Sequence, residues 1–60
     1  MRIKITENGV DKIVSTQSAT DKMYEITKHR VPRFDLLVNI EAMDVGKSIG
    51  IGDVIFTAVE

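Results

Sequence analysis

The chain contains no cysteine and no tryptophan, and only one histidine and one proline. Without cysteine there is no disulfide and no thiolate metal site. A single histidine gives no histidine cluster for zinc. No stretch stays apolar for the roughly 20 residues that a membrane-spanning helix needs. The N-terminus also lacks the apolar run of a signal peptide. An excess of one charge is missing too: eight Lys and Arg stand against nine Asp and Glu, for a net charge of −1. No whole-surface field that draws in nucleic acid or membrane follows from that balance, so either function would require local clustering. Met1 leads straight into a strand pattern, which reads as a native start, and the lack of cysteine fits a cytoplasmic location.

What is present is aliphatic. The 60 residues are 43% hydrophobic and 28% charged, a globular rather than a disordered composition. A chain of this length buries only about 60% of the surface that its unfolded form exposes. Such a core folds with little margin unless something reinforces it. With disulfides and metals set aside, the remaining reinforcements are a sheet packed closely on a helix, or an oligomer. The expectation is a homo-oligomer.

The clearest local signal is Arg2-Ile-Lys-Ile-Thr-Glu7, then Asn8-Gly9, then Val10-Asp-Lys-Ile-Val-Ser15. Asn-Gly between two β-type segments predicts a two-residue type I′ hairpin turn with positive φ at both residues. That turn sets Glu7 opposite Val10, Ile5 opposite Lys12 and Ile3 opposite Val14, all on one mainly apolar face. Arg2, Lys4, Thr6, Asp11 and Ser15 share the other face, with Ile13 as the apolar exception.

Thr16 to Ala19 is polar and reads as a link, with Ser18 as a helix cap. Residues 21–30 fit either a helix or a strand. Ala19, Met23, Ile26 and Arg30 follow helical spacing, whereas Tyr24 and Ile26 also alternate. Pro32 pushes Val31 towards an extended backbone. In Arg33 to Glu41, the residues Phe34, Leu36, Val38 and Ile40 alternate onto one face, which predicts a strand, with Leu37 as the exception. Ala42 to Ser48 reads as a loop or a short helical turn. Asp53 to Val59 reads as the last strand, apolar on both faces, and therefore central in the sheet or at a subunit contact.

Gly46-Lys47-Ser48 has the ending of a phosphate-binding loop. The full pattern needs a glycine five positions earlier, where this chain has Glu41. It also needs a helix afterwards, and Ile49-Gly-Ile-Gly52 is poor helix material because each glycine costs roughly 1 kcal/mol in a helix interior. The segment reads instead as a glycine-rich entry to the last strand, with Gly52-Asp53 as a turn pair. Ile51, Gly52 and Asp53, followed by Val54-Ile-Phe56, resemble the ending of the swapped-hairpin domains of transition-state regulators and antitoxins. The similar stretch, Ile49 to Glu60, is about a fifth of the chain. The family's earlier strand, its proline and its leucine-rich helix have no counterpart here. The resemblance implies an obligate dimer and DNA binding.

These patterns predict an α+β fold, a small antiparallel sheet with an N-terminal β-hairpin and one short helix. The alternative is a small all-β barrel of about five strands, if residues 21–30 extend. Lys28, His29, Arg30 and Arg33 form the densest charge and are the candidate contacts for nucleic acid or another anion, with Arg2 and Lys4 as an extension. Val54, Phe56, Ala58 and Leu37 are the candidate interface. No spacing assembles His29 with a serine and a carboxylate for nucleophilic catalysis. The carboxylates are scattered singly. The expected function is therefore non-enzymatic and without cofactor or metal: a protein-interaction module that regulates or inhibits a larger protein. The alternatives are a dimeric nucleic-acid-binding protein using residues 28–33, and a structural or assembly subunit.

Overall fold

A computed structural model describes all residues from Met1 to Glu60. Asn8 and Gly9 both take positive φ, +54° and +75°, as a type I′ turn requires. The turn joins strand β1 (Arg2–Glu7) to strand β2 (Val10–Ser15). The register is the one the turn predicts, from Glu7 opposite Val10 to Ile3 opposite Val14. Ile3 and Ile5 point into the core, and Val14 packs beside it.

The chain passes from β2 directly into helix α1 (Thr16–Ile26). Ser15 is the N-cap, with its hydroxyl accepting the Ser18 N–H at 3.2 Å. The stretch expected to be a link is thus the first turn of the helix, because the capping hydroxyl sits three residues earlier than expected. Ala19 and Met23 are buried and Ile26 packs beside the core, which is the helical spacing read from the sequence. The helix stops before Arg30.

Helix α2 (Arg33–Glu41) replaces the strand expected over these residues. The alternation of Phe34, Leu36, Val38 and Ile40 coexists with a helical repeat, Leu36, Ile40 and Met43. The helical repeat is the one that is buried: Leu36 and Ile40 enter the core, and Met43 packs against it. Pro32 precedes the first turn with a fixed φ of −57°, and Asp35 in that turn favours the helix dipole. The fold accordingly has two helices rather than one.

After α2, the Lys47 N–H closes a turn on the Asp44 carbonyl at 3.0 Å. Gly46 takes φ +92°, the positive value that the third position of a type II turn needs. Strand β3 (Ser48–Ile51) and strand β4 (Val54–Ala58) follow. Gly46-Lys47-Ser48 therefore enters a strand, not the helix of a phosphate site. The segment that resembled the swapped-hairpin domains is a local hairpin turning at Gly52-Asp53.

All pairings are antiparallel, in the order β2-β1-β4-β3. The sheet is open, which excludes the barrel. β4 is central, as its apolar faces predicted. Both helices lie on one side of the sheet. Ile3, Ile5, Val54, Phe56 and Ala58 meet Ala19, Met23, Leu36 and Ile40 there. The other side of the sheet, carrying Lys4, Thr6, Ile13, Ile55 and Thr57, has no layer over it.

Candidate functional site

Three of the four interface candidates take part in the chain's own core. Val54, Phe56 and Ala58 are buried under α1 and α2, so they are not available to a partner. β4 appeared two-sided because Ile55 and Val59 are also apolar, but the strand needs only one helical layer to cover its Val54, Phe56 and Ala58 side. Leu37 alone of the four reaches the surface.

Leu37 belongs to a shallow groove of about 510 Å³ between α1 and α2. Gln17, Thr20 and Asp21 of α1 form one wall, and Arg33, Phe34 and Leu37 of α2 form the other. The groove follows from the helical repeat of α2. Once Leu36 and Ile40 face the sheet, Phe34 and Val38 turn away from it, four residues apart on one helical face. Phe34 is 73% exposed and Val38 is 47% exposed. Apart from Gln17, the polar groups of the groove are tied down. Thr20 is buried, and its hydroxyl donates to the Thr16 carbonyl at 2.8 Å. Arg33 forms an ion pair with Asp21 across the groove. Its guanidinium also lies over the ring of Tyr24, 4.6 Å from the centroid, at cation–π distance.

The basic segment is the connection between the helices, beside one end of this groove. Its conformation is that of a helix C-cap. The Lys28 N–H donates to the Glu25 carbonyl at 3.0 Å, and the His29 N–H donates to the Tyr24 carbonyl at 2.9 Å. These two bonds make up the Schellman pattern. Lys28 and His29 both have positive φ, +56° and +63°, where glycine is the usual occupant. His29 stacks on Tyr24 and pairs with Glu25 at 3.2 Å.

Of the four basic candidates, His29 and Arg33 thus face acidic partners on α1, while Lys28 and Arg30 have none. Arg2 and Lys4 do not extend the cluster. Lys4 alternates with Ile3 and Ile5 and so lies on the open side of the sheet, away from the helices. Arg2 pairs with Glu60 at 3.2 Å. Reading the sequence as a strand hid Phe34 and Val38 by assigning them to the inward face. The competing spacing of Leu36, Ile40 and Met43 was the signal that would have exposed them.

No family model, no curated protein and no solved structure matches this chain.

Proposed function

We propose that the chain is a non-enzymatic protein-interaction module that binds a larger protein through the groove between α1 and α2, with Phe34 as its anchor. The observation that carries this reading is the 73% exposure of Phe34 beside half-buried Leu37. Burying a phenylalanine fully on a partner contributes roughly 1.5–3 kcal/mol, and aromatic anchors of this kind dominate many interfaces. The Asp21–Arg33 pair at the groove gives a polar flank beside the apolar side chains of Phe34 and Leu37. A partner segment with an apolar residue for Phe34 and Leu37 and polar groups for that flank fits this chemistry, as when an amphipathic helix enters a groove. The basic segment is less favoured as a binding surface, because half of its candidate residues already face carboxylates.

The test is site-specific crosslinking in the native host. A photoreactive phenylalanine analogue replaces Phe34 in one variant and Ile55, on the open side of the sheet, in another. The reading expects one protein adduct of defined mass from position 34 and none of that mass from position 55. It also expects Phe34→Ala to lose the same partner. Equal adducts from both positions, or a partner retained by Phe34→Ala, would remove the groove as the binding surface.

A further inference from the structure

β2 is an outer strand of the sheet, and its register with β1 fixes how its backbone groups are used. A two-residue turn closes on a hydrogen-bonded pair, here Glu7 with Val10. Alternation along an antiparallel ladder then makes Ile5 with Lys12, and Ile3 with Val14, hydrogen-bonded pairs. The N–H and C=O groups of Asp11 and Ile13 consequently point outward, away from the sheet. Edge strands are commonly blunted by proline, by a bulge or by outward charge. β2 contains no proline, its pairing with β1 is continuous over six residues, and its only charges are one exposed pair of opposite sign, Asp11 and Lys12. The Asp11 carboxylate is held by the Thr6 hydroxyl at 2.7 Å, on the open side of the sheet. Val10 and Ile13 are exposed at 61% and 50%.

We infer that a second copy of this chain pairs along this edge, β2 against β2 and antiparallel, about a twofold axis through Ile13. Charge selects the register. Centring the pair on Asp11 sets Asp against Asp, and centring it on Lys12 sets Lys against Lys. Like charges directly opposite one another are destabilising. Centring on Val10 or Val14 leaves too little strand to pair. Centring on Ile13 sets Ile13 against Ile13, Lys12 against Val14 and Asp11 against Ser15, with no like charges directly opposite. It also uses the outward groups of Asp11 and Ile13 as hydrogen-bonded pairs. The contact is isologous, as a twofold dimer requires, and it is separate from the groove between the helices. An edge-to-edge contact this short lies at the low end of specific interfaces, below about 1,200 Å² in total. The dimer should therefore form and dissociate with concentration.

The chain is short enough for chemical synthesis, which allows N-methylation of the Ile13 amide. That change removes one outward donor and leaves the bonds between β1 and β2 intact. Sedimentation equilibrium of the unmodified chain over about a hundredfold range of concentration should show its apparent mass rising from one chain towards two. The N-methylated chain should remain at one, with an unchanged circular dichroism spectrum. Ile13→Cys adds the only thiol of the molecule. Its partner across the axis would lie about 5.5 Å away between Cα atoms, within disulfide reach. Mild oxidation should therefore crosslink Ile13→Cys much faster than Asn39→Cys on α2. A chain that is monomeric at its highest attainable concentration would overturn the inference. So would a dimer that survives N-methylation at Ile13. A dimer lost in Phe34→Ala but not on N-methylation would place the second copy in the groove instead.

Discussion

His29 lies flat against Tyr24, with ring centroids 4.3 Å apart and planes 9° from parallel, and its backbone N–H donates to the carbonyl of that same tyrosine at 2.9 Å. Ring and backbone together hold the reversal between α1 and α2. The reversal requires positive φ at two successive residues, neither of them glycine. Left-handed backbone costs a residue with a Cβ roughly 1–2 kcal/mol. The structure places that cost at the connection that positions Arg33 and Phe34.

Lys28→Gly should therefore stabilise the fold, by about 0.5–1 kcal/mol after the extra unfolded-state freedom of glycine is deducted. In a domain of this size each kcal/mol moves the melting temperature by about 4–8 °C. His29→Gly should gain less, because it also gives up the stack on Tyr24, worth about 0.5–1.5 kcal/mol. Thermal melts of both variants against the unmodified chain check the order. A destabilised Lys28→Gly would mean that the left-handed cap does not form in solution.

Ser15→Ala should cost about 1 kcal/mol, the usual loss when an N-cap hydroxyl is removed. Ser18→Ala should cost much less, since the Ser18 N–H, not its side chain, satisfies the cap. Urea midpoints of the two variants decide the start of α1. A larger loss at Ser18 than at Ser15 would move that start to the later position that the sequence pattern favoured.

The parts of the fold that were legible in the sequence are those fixed by local chemistry. Asn8-Gly9 admits few turn types, and the turn dictates the register of the whole hairpin. Ala19, Met23 and Ile26 could be read as one helical face because no competing period was stronger. Residues 33–41 were misread because five of nine are apolar, enough to satisfy period two and period 3.6 together. Only the sheet decides between them, since it offers Leu36 and Ile40 a surface already made by Ile3, Ile5 and Phe56. β3 was missed for a related reason. Gly50 and Gly52 weaken the strand signal of Ile49 and Ile51, and the segment becomes a strand by pairing with β4. The groove depends on residues 33–41 being a helix, so Phe34 could not be recognised as exposed before the fold was known. Leu37, the exception to the strand pattern, is the one interface candidate that the fold leaves partly at the surface.

The ion pairs bound what the basic segment can do with nucleic acid. With His29 facing Glu25 and Arg33 facing Asp21, Lys28 and Arg30 are the basic side chains of the segment without an acidic partner. Each phosphate neutralised on a duplex contributes about −0.9 to the slope of log affinity against log salt. Any binding through this segment should then show a slope no steeper than about −2. Fluorescence titration of a labelled duplex at several salt concentrations measures it. A slope near −4 would mean that Arg33 and His29 leave their carboxylates for phosphate.

The two phenylalanines of the chain should behave oppositely. Phe56 is completely buried and central among Ile3, Ile5, Met23 and Ile40, whereas Phe34 is mostly exposed on the outward side of α2. Removing a buried phenylalanine side chain costs about 3–5 kcal/mol, as much as a core of this size supplies in total. Phe56→Ala should therefore abolish the cooperative fold, and Phe56→Leu should lower the urea midpoint measurably. Phe34→Ala removes a side chain with little packed against it, and surface changes of that kind usually stay within about 0.5 kcal/mol. Its circular dichroism spectrum and urea midpoint should match the unmodified chain. That equality is what allows a lost partner in Phe34→Ala to be read as a lost contact rather than a lost fold. If Phe34→Ala instead costs 2 kcal/mol or more by the scale of core truncations, Phe34 packs onto the protein in solution, the groove is closed, and the interface must lie elsewhere on the molecule.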